Sequence, residues 1–171
     1  DDKAYKSDST NNSFDTSSIS KIFAKADKIC AIYAPESVSD ITCYDKILRK
    51  ADVVILDWRL DIRCNDDDID SEADAEYDEP RGEFTLKLIS NLVSQKGMLK
   101  LIIIYTGETN LFDITDNIYS KIEKYGEFCK TECTIQSANV KILVRAKSQN
   151  SDNQFAYVPE LKDKIVDIEQ L

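Results

Sequence analysis

The chain has 171 residues and a formal net charge of -10, with 42% hydrophobic and 32% charged residues. That length suits one domain, and the apolar fraction is enough to build a real core. The acidic balance argues against nonspecific binding to nucleic acid or to an anionic membrane, and no apolar run approaches the roughly 18 residues of a membrane helix.

The opening residues, "DDKAYKSDST", are polar and acidic, unlike a signal peptide. Residues 7–18, "SDSTNNSFDTSS", read as a polar loop, and Ser17 or Ser18 is placed to cap a helix through "ISKIFAKAD". "KICAIYA" (28–34) reads as a short buried strand ended by Pro35. "SVSDITCYDKILRKA" spaces Val38, Ile41, Tyr44, Ile47 and Leu48 as one face of an amphipathic helix. "DVVILDW" (52–58) is apolar on both faces, as in an inner strand of a parallel sheet, and delivers one carboxylate, Asp57, at its end.

Residues 61–80, "DIRCNDDDIDSEADAEYDEP", hold ten acidic residues and one base, Arg63. Such a block repels itself and is read as an exposed insertion. Asp66, Asp68 and Asp70 match the first ligand positions of an EF-hand loop, but Ser71 and Tyr77 replace the required glycine and glutamate, so that motif is rejected.

"GEFTLKLISNLVSQKG" (82–97) predicts a helix with Gly97 as its C-cap. "KLIIIYTG" (100–107) is an apolar strand ending at Thr106, and "FDITDNIYSKIEKYG" (112–126) is a helix with Asp113 as candidate cap. "ECTIQS" (132–137) reads as an edge strand or hairpin arm, and "VKILVRAKS" (140–148) as a strand ending at Lys147. "PELKDKIVDIEQL" closes with a helix pattern starting at Pro159.

Cysteines stand at 30, 43, 64, 129 and 133, with no Cys-x-x-Cys pair. Without any histidine, a zinc site would need most of them together, so free thiols in a reducing cytoplasm are the better reading. The missing histidine also removes Ser-His-Asp, Cys-His and phosphohistidine chemistry from this chain, while a phosphoryl donor can lie on a partner.

Alternating helices and buried strands with short loops mean an α/β fold with a doubly wound sheet, in which functional groups collect at the carboxyl ends of the strands. Asp57, Thr106 and Lys147 each stand at such an end. With an apolar strand upstream of residue 1, the pair Asp1-Asp2 would stand at one too. The order strand-DD, strand-D, strand-T, strand-K, with "DDK" at 1–3, "LDWRL" at 56–60 and "IIIYTG" at 102–107, resembles the receiver domain of response regulators. It is most similar to the divergent long receivers of bacterial signalling and phage-defence proteins. The resemblance implies a single domain over 1–171 with a parallel five-stranded flavodoxin-like sheet, its first strand upstream of residue 1. Insertions would occupy 61–80, after the third strand, and 125–139.

It also implies roles. Asp57 would be the phosphoacceptor and a ligand of Mg2+. Asp1, Asp2 and the backbone carbonyl of Arg59 would complete the metal's protein ligands. Thr106 would donate its hydroxyl to the phosphoryl group, and Lys147 would pair with a phosphoryl oxygen or with Asp57. The partners implied are a histidine kinase or phosphotransfer protein and an effector; catalysis would extend only to the chain's own phosphorylation and dephosphorylation. Two positions depart from the pattern: Ser148 follows the lysine where receivers usually carry proline, and Val144 stands where many carry a switch aromatic. They favour an alternative, a pseudo-receiver serving as a docking or homodimerisation module. A third idea is that the acidic block mimics nucleic acid toward a basic partner.

Overall fold

A computed structural model describes residues 16–60, 82–95 and 99–147. The elements in chain order are α1 (Thr16–Lys25), α2 (Val38–Leu48), β1 (Val53–Asp57), α3 (Glu83–Val93), β2 (Lys100–Thr106) and α4 (Leu111–Ile122), then β3 (Cys129–Lys130), β4 (Thr134–Gln136) and β5 (Val140–Ala146). A 3-10 turn, Glu123–Tyr125, follows α4.

The five strands form one sheet in the order β1-β2-β5-β4-β3. β1, β2 and β5 are parallel, with Val53 opposite Leu101 and Lys100 opposite Val140 setting the register. β3 and β4 form an antiparallel hairpin whose second arm pairs with β5. The expected α/β architecture with a doubly wound, mostly parallel five-stranded sheet is therefore present, and "ECTIQS" does supply the hairpin arm. The strand expected at 28–34 does not form: those residues belong to no strand, and Ile29 is fully exposed.

Alternation along the strands sorts the core into two clusters. Val54, Leu56, Ile102, Ile104, Ile142 and Val144 face α2, α3 and α4, meeting Ile41, Leu88, Ile89, Leu92, Ile114 and Ile118. Leu101, Ile103, Tyr105 and Leu143 face Ile19 and Phe23 of α1, with Cys30 and Ile32 at the margin. β2 is buried along its whole length because it has a strand on each side and helices on both faces.

Helix ends follow local chemistry. Ser37 caps α2 in a capping box: its hydroxyl accepts from the Asp40 N–H, and the Asp40 carboxylate accepts from the Ser37 N–H. Those bonds, led by the one from the Glu36 N–H, hold the Asp40 carboxyl below its usual pKa. The cap of α4 is Asn110 rather than Asp113, since the Asn110 side chain accepts from the Asp113 N–H and binds the Asp113 carboxylate in turn. Ser17 and Ser18 lie within α1 rather than at its cap. Gly97 and the helix pattern at 159–171 lie outside the described residues.

Lys100 is a charged residue at the start of β2 with only 5% exposure. Its ammonium donates to the carbonyls of Arg49 (2.7 Å) and Ala51, with Leu48 at 3.5 Å, and so covers the C-terminal end of α2. Burial pushes its pKa below the usual lysine value, partly opposed by Asp52. The contact joins the α2–β1 turn to β2 and sets the height at which β1 enters the sheet. Lys100→Met keeps the apolar stem and strands these carbonyls. It is expected to cost about 1–3 kcal/mol in urea unfolding; an unchanged midpoint would contradict this capping role.

Candidate functional site

The parallel strands end together, and the residues at their ends meet. Asp57 closes β1 and Lys147 follows β5, with β2 between them. Two strand spacings, roughly 9.6 Å, separate the backbones, a gap that a long side chain can cross. Lys147 Nζ donates to Asp57 Oδ2 at 2.5 Å, with the two side chains only 12% and 10% exposed. Thr106 ends the intervening strand, and its carbonyl accepts from the Lys147 N–H at 2.7 Å. Its buried hydroxyl accepts from the Glu108 N–H at 3.0 Å, which shapes the loop into α4. Asp57, Thr106 and Lys147, chosen on strand-end placement, thus converge on one rim of the sheet.

The response receiver domain family matches residues 1–152. The chain belongs to that family. No curated protein and no solved structure gives a match. Membership makes this a receiver module of signalling type, with the receiver-like fold seen in the sheet.

Within this receiver domain the remaining expected residues separate. Arg59 is exposed just beyond β1, close in sequence to Asp57. Asp1, Asp2, Ser148 and the acidic block 61–80 lie outside the described residues. Val144 is fully buried, and its N–H donates to the Cys133 carbonyl of the hairpin at 2.9 Å. Among the described residues no group of three or more His, Cys, Asp or Glu is placed to hold a metal ion. The described part of the site offers the two Asp57 carboxylate oxygens, of which Oδ2 is on the lysine. These are hard oxygen donors, and Mg2+ characteristically takes one or two carboxylates and keeps several waters, so the donor type fits. A cavity of about 380 Å³ lined by α1 residues and by Cys30, Ala31, Ile32 and Tyr33 contains none of the three strand-end residues. The four described cysteines, 30, 43, 129 and 133, are free thiols, and no described helix is long and apolar enough to cross a membrane.

The sequence reading passed over two residues beside the end of β1. Thr85 is fully buried, and its hydroxyl donates to the Asp57 carbonyl at 2.7 Å. A signal for it was present: Thr85, Leu88, Ile89 and Leu92 share the inward face of α3, and Thr85 is the polar member. Gly82 precedes α3 at φ +84°, and the indole of Trp58 lies directly on it. A Cβ at position 82 would come within 2.6 Å of Trp58 Cε2 and Cη2. Trp58 follows Asp57 and is itself buried, so it has little room to withdraw. Gly82→Ala is expected to destabilise the domain by about 2 kcal/mol or more, through the left-handed backbone and the clash together. Thermal unfolding checks it, and a Tm equal to wild type would show that the indole can move aside.

Proposed function

We propose that this receiver domain accepts a phosphoryl group on Asp57 and relays the resulting change to an effector or partner. The observation that supports this most is the Asp57–Lys147 pair. A nearly buried carboxylate and ammonium are brought together across a third strand, where leaving either alone would cost several kcal/mol. A structural ion pair has little reason to be built at a strand-end rim, whereas a phosphoryl pocket needs both groups there.

In the proposed reaction an Asp57 carboxylate oxygen attacks the phosphorus of a phosphohistidine. The new P–O bond makes an acyl phosphate, the P–N bond breaks, and the imidazole leaves. The chain has no histidine, so the donor is a partner, a histidine kinase or phosphotransfer protein. Lys147 would shift from the carboxylate to a phosphoryl oxygen, and the Thr106 hydroxyl would turn from its Glu108 contact to donate to another. Asp57, the Arg59 carbonyl, Asp1 and Asp2 would hold Mg2+. When bound, such a cation offsets the repulsion between carboxylate and phosphoryl oxygens. Positioning by rigid strand ends supplies much of the remaining catalysis. On this reading 1–171 is one domain with insertions at 61–80 and 125–139, acting in the cytoplasm.

One observation favours the pseudo-receiver alternative. Val144, at the position expected for a switch aromatic, is a small side chain locked in the core and under the hairpin, so a relay by aromatic rotation has no residue to use. Phosphorylation by acetyl phosphate with Mg2+, followed by intact mass, separates the readings. The wild type is expected to gain one phosphoryl group and Asp57→Asn none, while Lys147→Ala slows the reaction about 10²-fold. No gain in the wild type, together with no saturable binding of beryllofluoride and Mg2+, would establish the docking module instead.

A further inference from the structure

We propose that Thr85 is a positioning residue for the acceptor, its hydroxyl holding the backbone carbonyl that aims the Asp57 side chain. The inference rests on the phosphoacceptor reading and adds a residue to it from a different element, α3.

In a parallel ladder, successive residues turn their backbone groups to opposite sides. The Asp52 carbonyl accepts from Leu101, and the Trp58 N–H donates to the Tyr105 carbonyl at 3.0 Å, so the even-numbered residues of this stretch face β2. Asp57 therefore turns its own carbonyl away from β2, where that strand cannot satisfy it. Thr85 Oγ1 does so at 2.7 Å.

The destination of that hydroxyl is what sets Thr85 apart. A hydroxyl in a helix commonly bonds back to the carbonyl four residues earlier. Thr115 does this to Leu111, and Ser90 to Leu86, each at 2.8 Å. Thr85 instead crosses 28 residues of sequence to the end of β1. In a site with no exposure, valine would fill the same space without a polar atom to satisfy, so the hydroxyl has a reason to be there only in its partner.

The two bonds act on one peptide unit. Its carbonyl, from Asp57, is held by Thr85, and its N–H, from Trp58, is held by Tyr105. That plane adjoins the Asp57 Cα, from which the carboxylate projects. Fixing it restrains the backbone torsion that aims the side chain. The Trp58 indole on Gly82 fastens the start of α3 to the same place, so Thr85 is carried on a platform that cannot drift from the strand. Holding an acceptor in line is worth rate rather than affinity, because misplacement raises the barrier without changing how the donor binds.

The test compares Thr85→Val, Thr85→Ala and Thr85→Ser in the whole protein with acetyl phosphate and Mg2+. The variants lacking the hydroxyl are expected to lose about tenfold in saturating rate with an unchanged half-saturation concentration. Serine should stay within about twofold of wild type. Amide exchange at Trp58, read without donor or metal, should quicken in valine and alanine but not in serine. The alanine variant carries the test if valine fails to fold. Either hydroxyl-free variant at the wild-type rate, unchanged exchange in both, or serine falling as far as valine would overturn the role of Thr85 alone. An unreactive wild type would instead overturn the phosphoacceptor reading and, with it, this role.

Discussion

The ion pair between Asp57 and Lys147 spans the sheet's central parallel strand, and the architecture of the rim follows from making that span possible. The pair joins the first and third of three adjacent parallel strands, so their ends have to finish level. Two charges with little exposure tolerate separation poorly, since each would be left in a medium that solvates it badly. The level finish is set by the ladder, where Asp57 stands opposite Tyr105 and Tyr105 opposite Arg145. A slip of one residue in either pairing would turn Asp57 or Lys147 to the other face.

Contacts at both ends of the strands guard that register. At the amino end, Lys100 ties the close of α2 to the start of β2 through backbone carbonyls. At the carboxyl end, Trp58 on Gly82 and Thr85 on the Asp57 carbonyl fasten α3 to the end of β1. Between them lies an apolar core, with Ile102, Ile103 and Ile104 of β2 completely excluded from solvent. Of the buried polar side chains, Thr85 and Lys100 bond across elements, Ser90 and Thr115 bond back within their own helices, and Asp45 Oδ1 has no hydrogen-bond partner among the described residues.

The far edge of the sheet bears on how a signal would leave the site. β5 carries Lys147 at its end and is covered on its outer side by the β3–β4 hairpin. Lys130 of β3 pairs with Asp116 and lies over the rings of Phe112 and Tyr119, all on α4, which fastens the hairpin to that helix. The hairpin, β5 and α4 therefore pack as neighbours. Val144, buried beneath the hairpin, is a small side chain at this position.

Much of this was legible in residue order. Apolar runs and amphipathic stretches marked the parallel strands and all the described helices, because burial on both faces, as in β2, leaves a continuous hydrophobic run and burial on one face leaves a helical stripe. β1 read as an inner strand, yet among the described residues it is an edge strand with Ile55 exposed. Asp57, Thr106 and Lys147 stood out because each ends such a run. Residue order misplaced the cap of α4, where Asn110 and Asp113 are equally plausible until backbone geometry chooses. It misread 28–34, whose composition is that of a strand but whose pairing is not a local property. Thr85 and Gly82 went unnoticed because their partners, Asp57 and Trp58, are remote in sequence. Local pattern by itself determined the elements and the kind of chemistry at their ends, since period and composition are written residue by residue. Only the tertiary structure decided that β2 lies between Asp57 and Lys147, that a hairpin fills the edge beside β5, and that a helix hydroxyl holds the Asp57 carbonyl, because strand order and cross-element hydrogen bonds arise from contacts between distant segments.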